Sequence, residues 1–160
     1  MKTAFFSRNG AALSSKYEDW RTPPDLFAQL NAAHHFTLDA AASSSNALLP
    51  RFWTKEQDAF KQDWKGERVF CNPPYGRDLR YWIALFVNAV LIHGAQIVVA
   101  LLPARTDTFA FHEFIYAKTY TQIRFLRGRL TFGSPEDGLP LRPAPFPSMI
   151  VTFQPPSPRN

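Results

Sequence analysis

The stretch Arg68-Val69-Phe70-Cys71-Asn72-Pro73-Pro74-Tyr75 decides how this chain is read. Residues 68–72 read as a strand, and Pro73-Pro74 stops it. Neither proline has an N–H for a ladder, and the residue before a proline is pushed into an extended conformation. A polar side chain is thereby fixed at a strand's carboxyl end, which is where open α/β sheets bind their ligands.

Outward from this point the chain alternates strand and helix. Toward the C-terminus, Leu79, Trp82, Ile83, Phe86 and Val90 mark one face of a helix running from Asp78 to about His93. The continuous run Ile97-Val98-Val99-Ala100-Leu101-Leu102 has the signature of a strand buried on both faces. Residues 108–118 are predicted to be helical and 122–126 to form a strand. Arg129–Phe132 is expected to pair with Ser148–Phe153 as a final antiparallel hairpin.

Toward the N-terminus, Phe36-Thr37-Leu38-Asp39 reads as a short strand that ends in a carboxylate. Thr22-Pro23-Pro24-Asp25 reads as a helix start, with a hydroxyl N-cap, proline at the first helical position and a carboxylate in the first turn. Leu26, Phe27, Leu30 and Ala33 follow at helical spacing. The pattern predicts a compact α/β sheet with right-handed crossovers, helices on both faces and a terminal antiparallel hairpin. Asp39, Asn72 and Pro103 all fall at strand ends.

The chain's 160 residues suit one domain. A flexible arm is expected over residues 1–17, the domain proper over 18–153 and a proline-rich tail over 154–160. Eight of the 14 prolines lie between Pro135 and Pro158, which predicts a non-helical loop there. Eighteen Lys and Arg against 13 Asp and Glu give a net charge of +5, favouring an anionic partner. A single cysteine excludes an internal disulfide framework and a multi-cysteine zinc site, and fits a reducing cytosol. No apolar stretch reaches membrane-spanning length and Met1-Lys2-Thr3 leads into no signal-peptide core, so a cytoplasmic protein with no membrane partner is expected.

The proline pair aims the Asn72 side chain and the Pro73 carbonyl at one small space. Two converging oxygen acceptors suit a planar amino group. They take both of its hydrogens and localise the lone pair, so that a poor nucleophile can attack an electrophilic methyl without a strong base. Tyr75 offers a face on which a ring can stack. The plainer alternative is a proline turn capped by a packing tyrosine.

With Asp19-Trp20-Arg21-Thr22-Pro23-Pro24, Leu38-Asp39-Ala40-Ala41, Phe70–Tyr75, Leu102-Pro103-Ala104-Arg105, Gly128-Arg129-Leu130 and Pro143-Ala144-Pro145-Phe146, the chain resembles the phage-type DNA N6-adenine methyltransferases, the Dam-like family of bacteriophages and prophages. The resemblance spans about residues 17–153. It implies a Rossmann-like fold, S-adenosylmethionine as methyl donor with no metal, and adenine N6 in double-stranded DNA as acceptor, in the cytoplasm of a bacterial host cell. On this mapping Asn72, Pro73 and Pro74 form the catalytic turn and Tyr75 stacks on the flipped base. Asp39 lies near the donor's amino group and Thr22-Pro23 near its carboxylate.

The chain departs from the family after the first strand, where Ala40, Ala41, Ala42 and Ser43 replace the usual glycine-rich loop. Only 32 residues separate Asp39 from Asn72, fewer than two βα units normally occupy. Glu56 is therefore a candidate for the donor's ribose and Asp58 for its adenine amino group, with a solvated charge as the alternative for each.

DNA contacts must come from loops. Arg127-Gly128-Arg129 is a candidate to straddle a phosphate or enter a groove, and Arg105 to hold a phosphate near the flipped base. Cys71, Phe109, Phe111 and Phe114 are expected to be core residues. His34, His35 and His112-Glu113 lack metal-ligand spacing. The rival readings are the same chemistry on RNA or a protein glutamine, and a non-catalytic DNA-binding module with a decayed cofactor pocket.

Overall fold

Strand β3 (Ile97–Pro103) is the axis of the molecule, and all seven of its residues are buried. In the computed structural model, which describes residues 20–132 and 142–157, it lies in a five-stranded sheet. Its partners are β1 (Leu38–Asp39), β2 (Arg68–Cys71), β4 (Thr121–Phe125) and β7 (Ser148–Phe153), in the order β1-β2-β3-β7-β4. The expected arm over 1–17, the proline-rich stretch 133–141 and residues 158–160 lie outside the described residues.

Strands β1, β2 and β3 pair in parallel, whereas β7 runs antiparallel to both β3 and β4. Strand β4 therefore points the same way as the first three, and the carboxyl ends of four strands share one edge. The expected pairing of Arg129–Phe132 with Ser148–Phe153 is corrected here. Thr131–Phe132 (β5) pairs instead with Arg142–Pro143 (β6) in a separate two-stranded ribbon. The physical reason is that all six residues of β7 are buried, so its backbone N–H and C=O groups need partners along both edges, which β3 and β4 supply.

Side chains alternate across the sheet and divide the core in two. Val69, Cys71, Val98, Ala100, Leu102, Val151 and Phe153 face one layer, which holds helices α2 (Leu79–Leu91) and α3 (Phe109–Phe114). Phe70, Val99, Leu101 and Ile150 face the other, which holds α1 (Pro24–His34). The sheet thus has helices on both faces. No helix among the described residues is long and apolar enough to cross a membrane.

Three local expectations are revised. Helix α1 is capped by Pro23, whose carbonyl accepts from Phe27 at 3.1 Å, and Thr22 makes no cap. Helix α3 ends at Phe114, short of the expected 118, and Thr108 caps it by accepting from the Phe111 N–H at 3.3 Å. Phe109 is 76% exposed rather than core, because it occupies the first helical turn on the side away from buried Phe111.

The 32 residues between Asp39 and Asn72 are accommodated without a full βα unit. Phe52 makes a parallel bridge to Asp39, so the segment returns along the free edge of β1. A 3-10 turn at Ala59–Lys61 and the edge-to-face pair Trp53–Trp64, 5.3 Å apart, fill the space beyond it. Glu67, buried just before β2, accepts from Arg51 at 2.5 Å and Thr37 at 2.6 Å and ties the ends of this excursion together.

Candidate active site

At the shared strand edge lies a cavity of about 500 Å³. Its walls come from the end of β1 and the loop after it (Asp39–Ser43), the turn after β2 (Asn72–Pro74), the strap before α1 (Trp20–Thr22) and the Trp53–Lys55 segment with Asp58. The sequence-predicted residues Thr22, Asp39, Ala40, Asp58, Asn72, Pro73 and Pro74 are brought together here.

Asn72 is the most constrained of them. Its Nδ2 donates to the Trp20 carbonyl at 2.5 Å and to the Thr22 hydroxyl at 3.1 Å, which uses both amide hydrogens. Its Oδ1 is buried and has no hydrogen-bond partner among the described residues. An unsatisfied buried acceptor costs about 1–3 kcal/mol. The orientation of the amide is fixed by the strap, and what it presents is a bare acceptor.

Tyr75 does not line the cavity; it stands just beyond the turn. Its hydroxyl donates to the Leu101 carbonyl at 3.1 Å, and its ring meets Phe146 edge-to-face at 5.4 Å. Burial pushes its phenol well above the usual range, so it stays protonated and keeps that bond. Phe146 also packs on Trp20 at 5.4 Å, and Trp20 on Phe132 at 5.1 Å. Aromatic contacts therefore link the strap, the tyrosine and the β5–β6 ribbon. Gly76, at φ +148°, turns the chain out of this cluster.

Asp39 is only 3% exposed, and burial raises its pKa above the ordinary carboxylate value. Backbone N–H groups of Leu48 at 3.2 Å and Ala41 at 3.5 Å partly offset this. A desolvated carboxylate on a cavity wall, with no ion pair to a cation among the described residues, suits a cationic ligand group. The alanine loop beside it takes its shape without left-handed backbone, since the non-glycine residues at positive φ are His35, Asp58 and Ala117. Ala42 donates to the Trp53 carbonyl at 3.0 Å and Ser43 to Asn46 Oδ1 at 2.6 Å, and these bonds hold the loop in place.

Asp58 reaches the wall in a left-handed conformation, φ 57°, accepting from the Phe60 N–H at 3.3 Å and pairing with Lys61 at 3.5 Å. Glu56 is not brought to the cavity. It stands exposed on the Thr54–Gln57 turn, while its neighbours Thr54 and Lys55 take the wall. Pro23 lies behind Thr22 as the cap of α1 and is not part of the lining. Cys71 is fully buried, and burial pushes its thiol up.

Arg105 follows β3, and Arg127 and Arg129 follow β4; all three are exposed beyond the same strand edge as the cavity. Gly128, at φ +77°, forms the turn between the last two. Residue types gave no warning of Trp20, which acts on Asn72 through its backbone carbonyl. The ring of Phe146 lies within a motif already singled out, but its contact with Tyr75 is visible only in three dimensions.

This arrangement can be set beside known proteins. Phage T1 of Escherichia has a DNA N-6-adenine-methyltransferase that is 35% identical over 99 residues, covering 59% of this chain and 39% of that protein. Escherichia coli (strain K12) has a protein named "Putative methyltransferase YfdM" that is 35% identical over 66 residues, covering 36% of this chain and 71% of that protein. The chain thus spans about two fifths of the phage relative's length. The family model described as DNA N-6-adenine-methyltransferase (Dam) matches residues 10–160, a range that takes in every wall of the cavity, and the chain belongs to that family.

Proposed function

We propose that this protein transfers a methyl group from S-adenosylmethionine to the N6 amino group of adenine in double-stranded DNA, with the adenine flipped out of the duplex. The observation that carries this reading is the buried Oδ1 of Asn72, without a partner among the described residues, in an amide fixed by the two hydrogen bonds that its Nδ2 donates. The proposed catalytic unit is residues 18–153, acting in a bacterial cytoplasm.

The cavity fits the donor's chemistry. Asp39, a desolvated carboxylate, would hold the donor's ammonium, Thr22 and the backbone before α1 would hold its carboxylate, and Asp58 would accept from its adenine amino group. When bound, the donor supplies an electrophilic methyl group. The chain's own residues do the rest. Asn72 Oδ1 and the Pro73 carbonyl accept the two hydrogens of the adenine amino group, which turns the nitrogen lone pair toward the methyl. As positive charge develops on that nitrogen, the same two oxygens stabilise it until one of its two hydrogens is lost to solvent as a proton. Tyr75, fixed by Leu101 and Phe146, forms the wall against which the extrahelical base rests. Arg105, Arg127 and Arg129 hold the DNA backbone.

The test is Asn72→Ala with tritium-labelled donor against DNA, RNA and glutamine-containing protein acceptors. Wild type is expected to label DNA, and the variant to lose about 100- to 1,000-fold in kcat while donor binding is retained. Label on RNA or protein alone, or variant activity within a few-fold of wild type, overturns the reading.

A further inference from the structure

A second cavity, of about 290 Å³, opens on the far side of the Asn72–Tyr75 turn, between the start of α2 and the start of α3. Its floor is apolar, from Ile83, Leu102 and Met149. Its rim carries three arginines: Arg77 and Arg80 from the chain leaving the catalytic turn, and Arg105 from the chain leaving β3. All three are exposed. Neither Arg77 nor Arg105 forms an ion pair with a carboxylate among the described residues, while Arg80 lies over the Tyr81 ring at 4.7 Å. Phe109 completes the rim and is 76% exposed, the highest value among the large apolar side chains of the described residues.

An aromatic ring left in water beside unpaired guanidinium groups is poorly explained by folding. At 76% exposure it adds little to the core, and Arg77 and Arg105 beside it lack acidic partners among the described residues. Single-stranded nucleic acid is recognised by this combination, with cations tracking phosphates and an aromatic face taking a base. Gly76 and Arg77, which line this cavity, follow Tyr75 directly in the chain, so its rim begins one residue past the proposed wall for the flipped base.

We propose that this cavity is a second nucleotide site, in which Arg77, Arg80 and Arg105 bind phosphates of the strand being methylated and Phe109 stacks on a base unstacked next to the flipped adenine. The proposal rests on the DNA-methylating reading above and adds a contact that the catalytic cavity does not supply. Flipping one nucleotide exposes the face of its neighbour, and an exposed phenyl ring beside the exit covers that face. No lining residue is shared with the donor cavity, so the two functions are separable by mutation.

The experiment measures binding of a fluorescein-labelled duplex across a salt series, together with methyl transfer and donor binding, for wild type, Arg77→Ala/Arg105→Ala, Arg77→Lys/Arg105→Lys and Phe109→Ala. The double alanine variant is expected to lower the log–log salt slope by nearly two units, and the lysine variant to retain it. Phe109→Ala is expected to keep the slope but weaken binding by roughly 5- to 150-fold, the range for losing one stacked base. A duplex whose target adenine is mispaired should recover most of that loss, because its neighbour is already loosely stacked. Donor binding should be unchanged in every variant, and since the replaced side chains are exposed, so should the melting temperature. If wild type neither binds nor methylates DNA, the reading of the function has failed. If wild type does both and the variants match it in slope and affinity, this second site alone is overturned. Variant effects confined to an RNA competitor overturn it equally.

Discussion

Asn72 and Thr22, 50 residues apart in sequence, are joined by a side-chain hydrogen bond of 3.1 Å that helps decide which way the asparagine amide points. With the Trp20 carbonyl it takes both hydrogens of Nδ2 and leaves Oδ1 buried and without a partner among the described residues. The Thr-Pro element before α1 therefore orients the residue proposed to accept the adenine amino group. A helix cap could not do this.

Replacing Thr22 tests that role. Thr22→Val keeps the shape but removes the acceptor, leaving one buried amide hydrogen unsatisfied at about 1–3 kcal/mol. The expected result is a fall of about tenfold in kcat, together with a higher KM for the donor, because Thr22 also lines the proposed donor cavity. Thr22→Ser should restore kcat. A purely stabilising role would lower the melting temperature and leave kcat alone, so the two are read from the same preparations.

Asp39 should make stability and donor affinity depend on pH in opposite directions. Its native pKa is raised by burial above the ordinary value of 3.8. As pH rises past that value the unfolded chain releases the proton first and the native state keeps it. Native stability then falls until the raised native pKa is passed. The melting temperature of wild type relative to Asp39→Asn should decline across this window. Donor affinity should rise across the same window as the carboxylate ionises to meet an ammonium group. Calorimetric titration at several pH values checks the second half, and a flat profile would remove Asp39 from the donor site.

The local chemistry of the fold was legible in sequence; its strand order was not. The run Ile97–Leu102 announced a strand covered on both faces, and the spacing from Leu79 to Val90 announced α2, because burial and helical periodicity are written in residue types. Nothing local says that Ser148–Phe153 slides between β3 and β4, since that choice is made by which distant strands can pair with its two edges. Asn72 was found through its prolines. The carbonyl of Trp20 was not, because backbone groups leave no mark in sequence. Phe109 was misplaced because an apolar residue at helical spacing looks the same whether its face meets the core or solvent.

Phe146 is expected to act on the site through Tyr75. Its ring meets Tyr75 and Trp20 at 5.4 Å each, and each such edge-to-face pair is worth about 0.5–1.5 kcal/mol beyond area burial. Phe146→Ala should lower stability by roughly 1–3 kcal/mol on this basis. It should also raise KM for DNA while donor affinity is kept, since the donor cavity does not include Phe146. Phe146→Tyr keeps the ring and should behave like wild type in both measurements.

The turn Arg127-Gly128-Arg129 supplies the last prediction. It follows β4, whose carboxyl end lies on the same edge as Asp39 and Asn72, and both arginines are exposed. If they contact phosphates, Arg127→Ala/Arg129→Ala should weaken binding to all duplexes alike and lower the salt slope by about two units. If one reads a guanine edge, its loss should instead cost about 1–3 kcal/mol at one base position and leave other sequences bound as before. Gly128 offers an independent check. At φ +77° a Cβ would meet no atom within 4 Å, so Gly128→Ala introduces backbone strain without a clash. That strain, of about 1–2 kcal/mol, should shift the turn and the two guanidinium groups together. A DNA-binding role thus predicts that the glycine variant reproduces part of the double arginine loss while donor affinity is untouched. Unchanged affinity, slope and specificity in both variants would make this turn a solvated loop and leave Arg105 with the second cavity as the DNA surface.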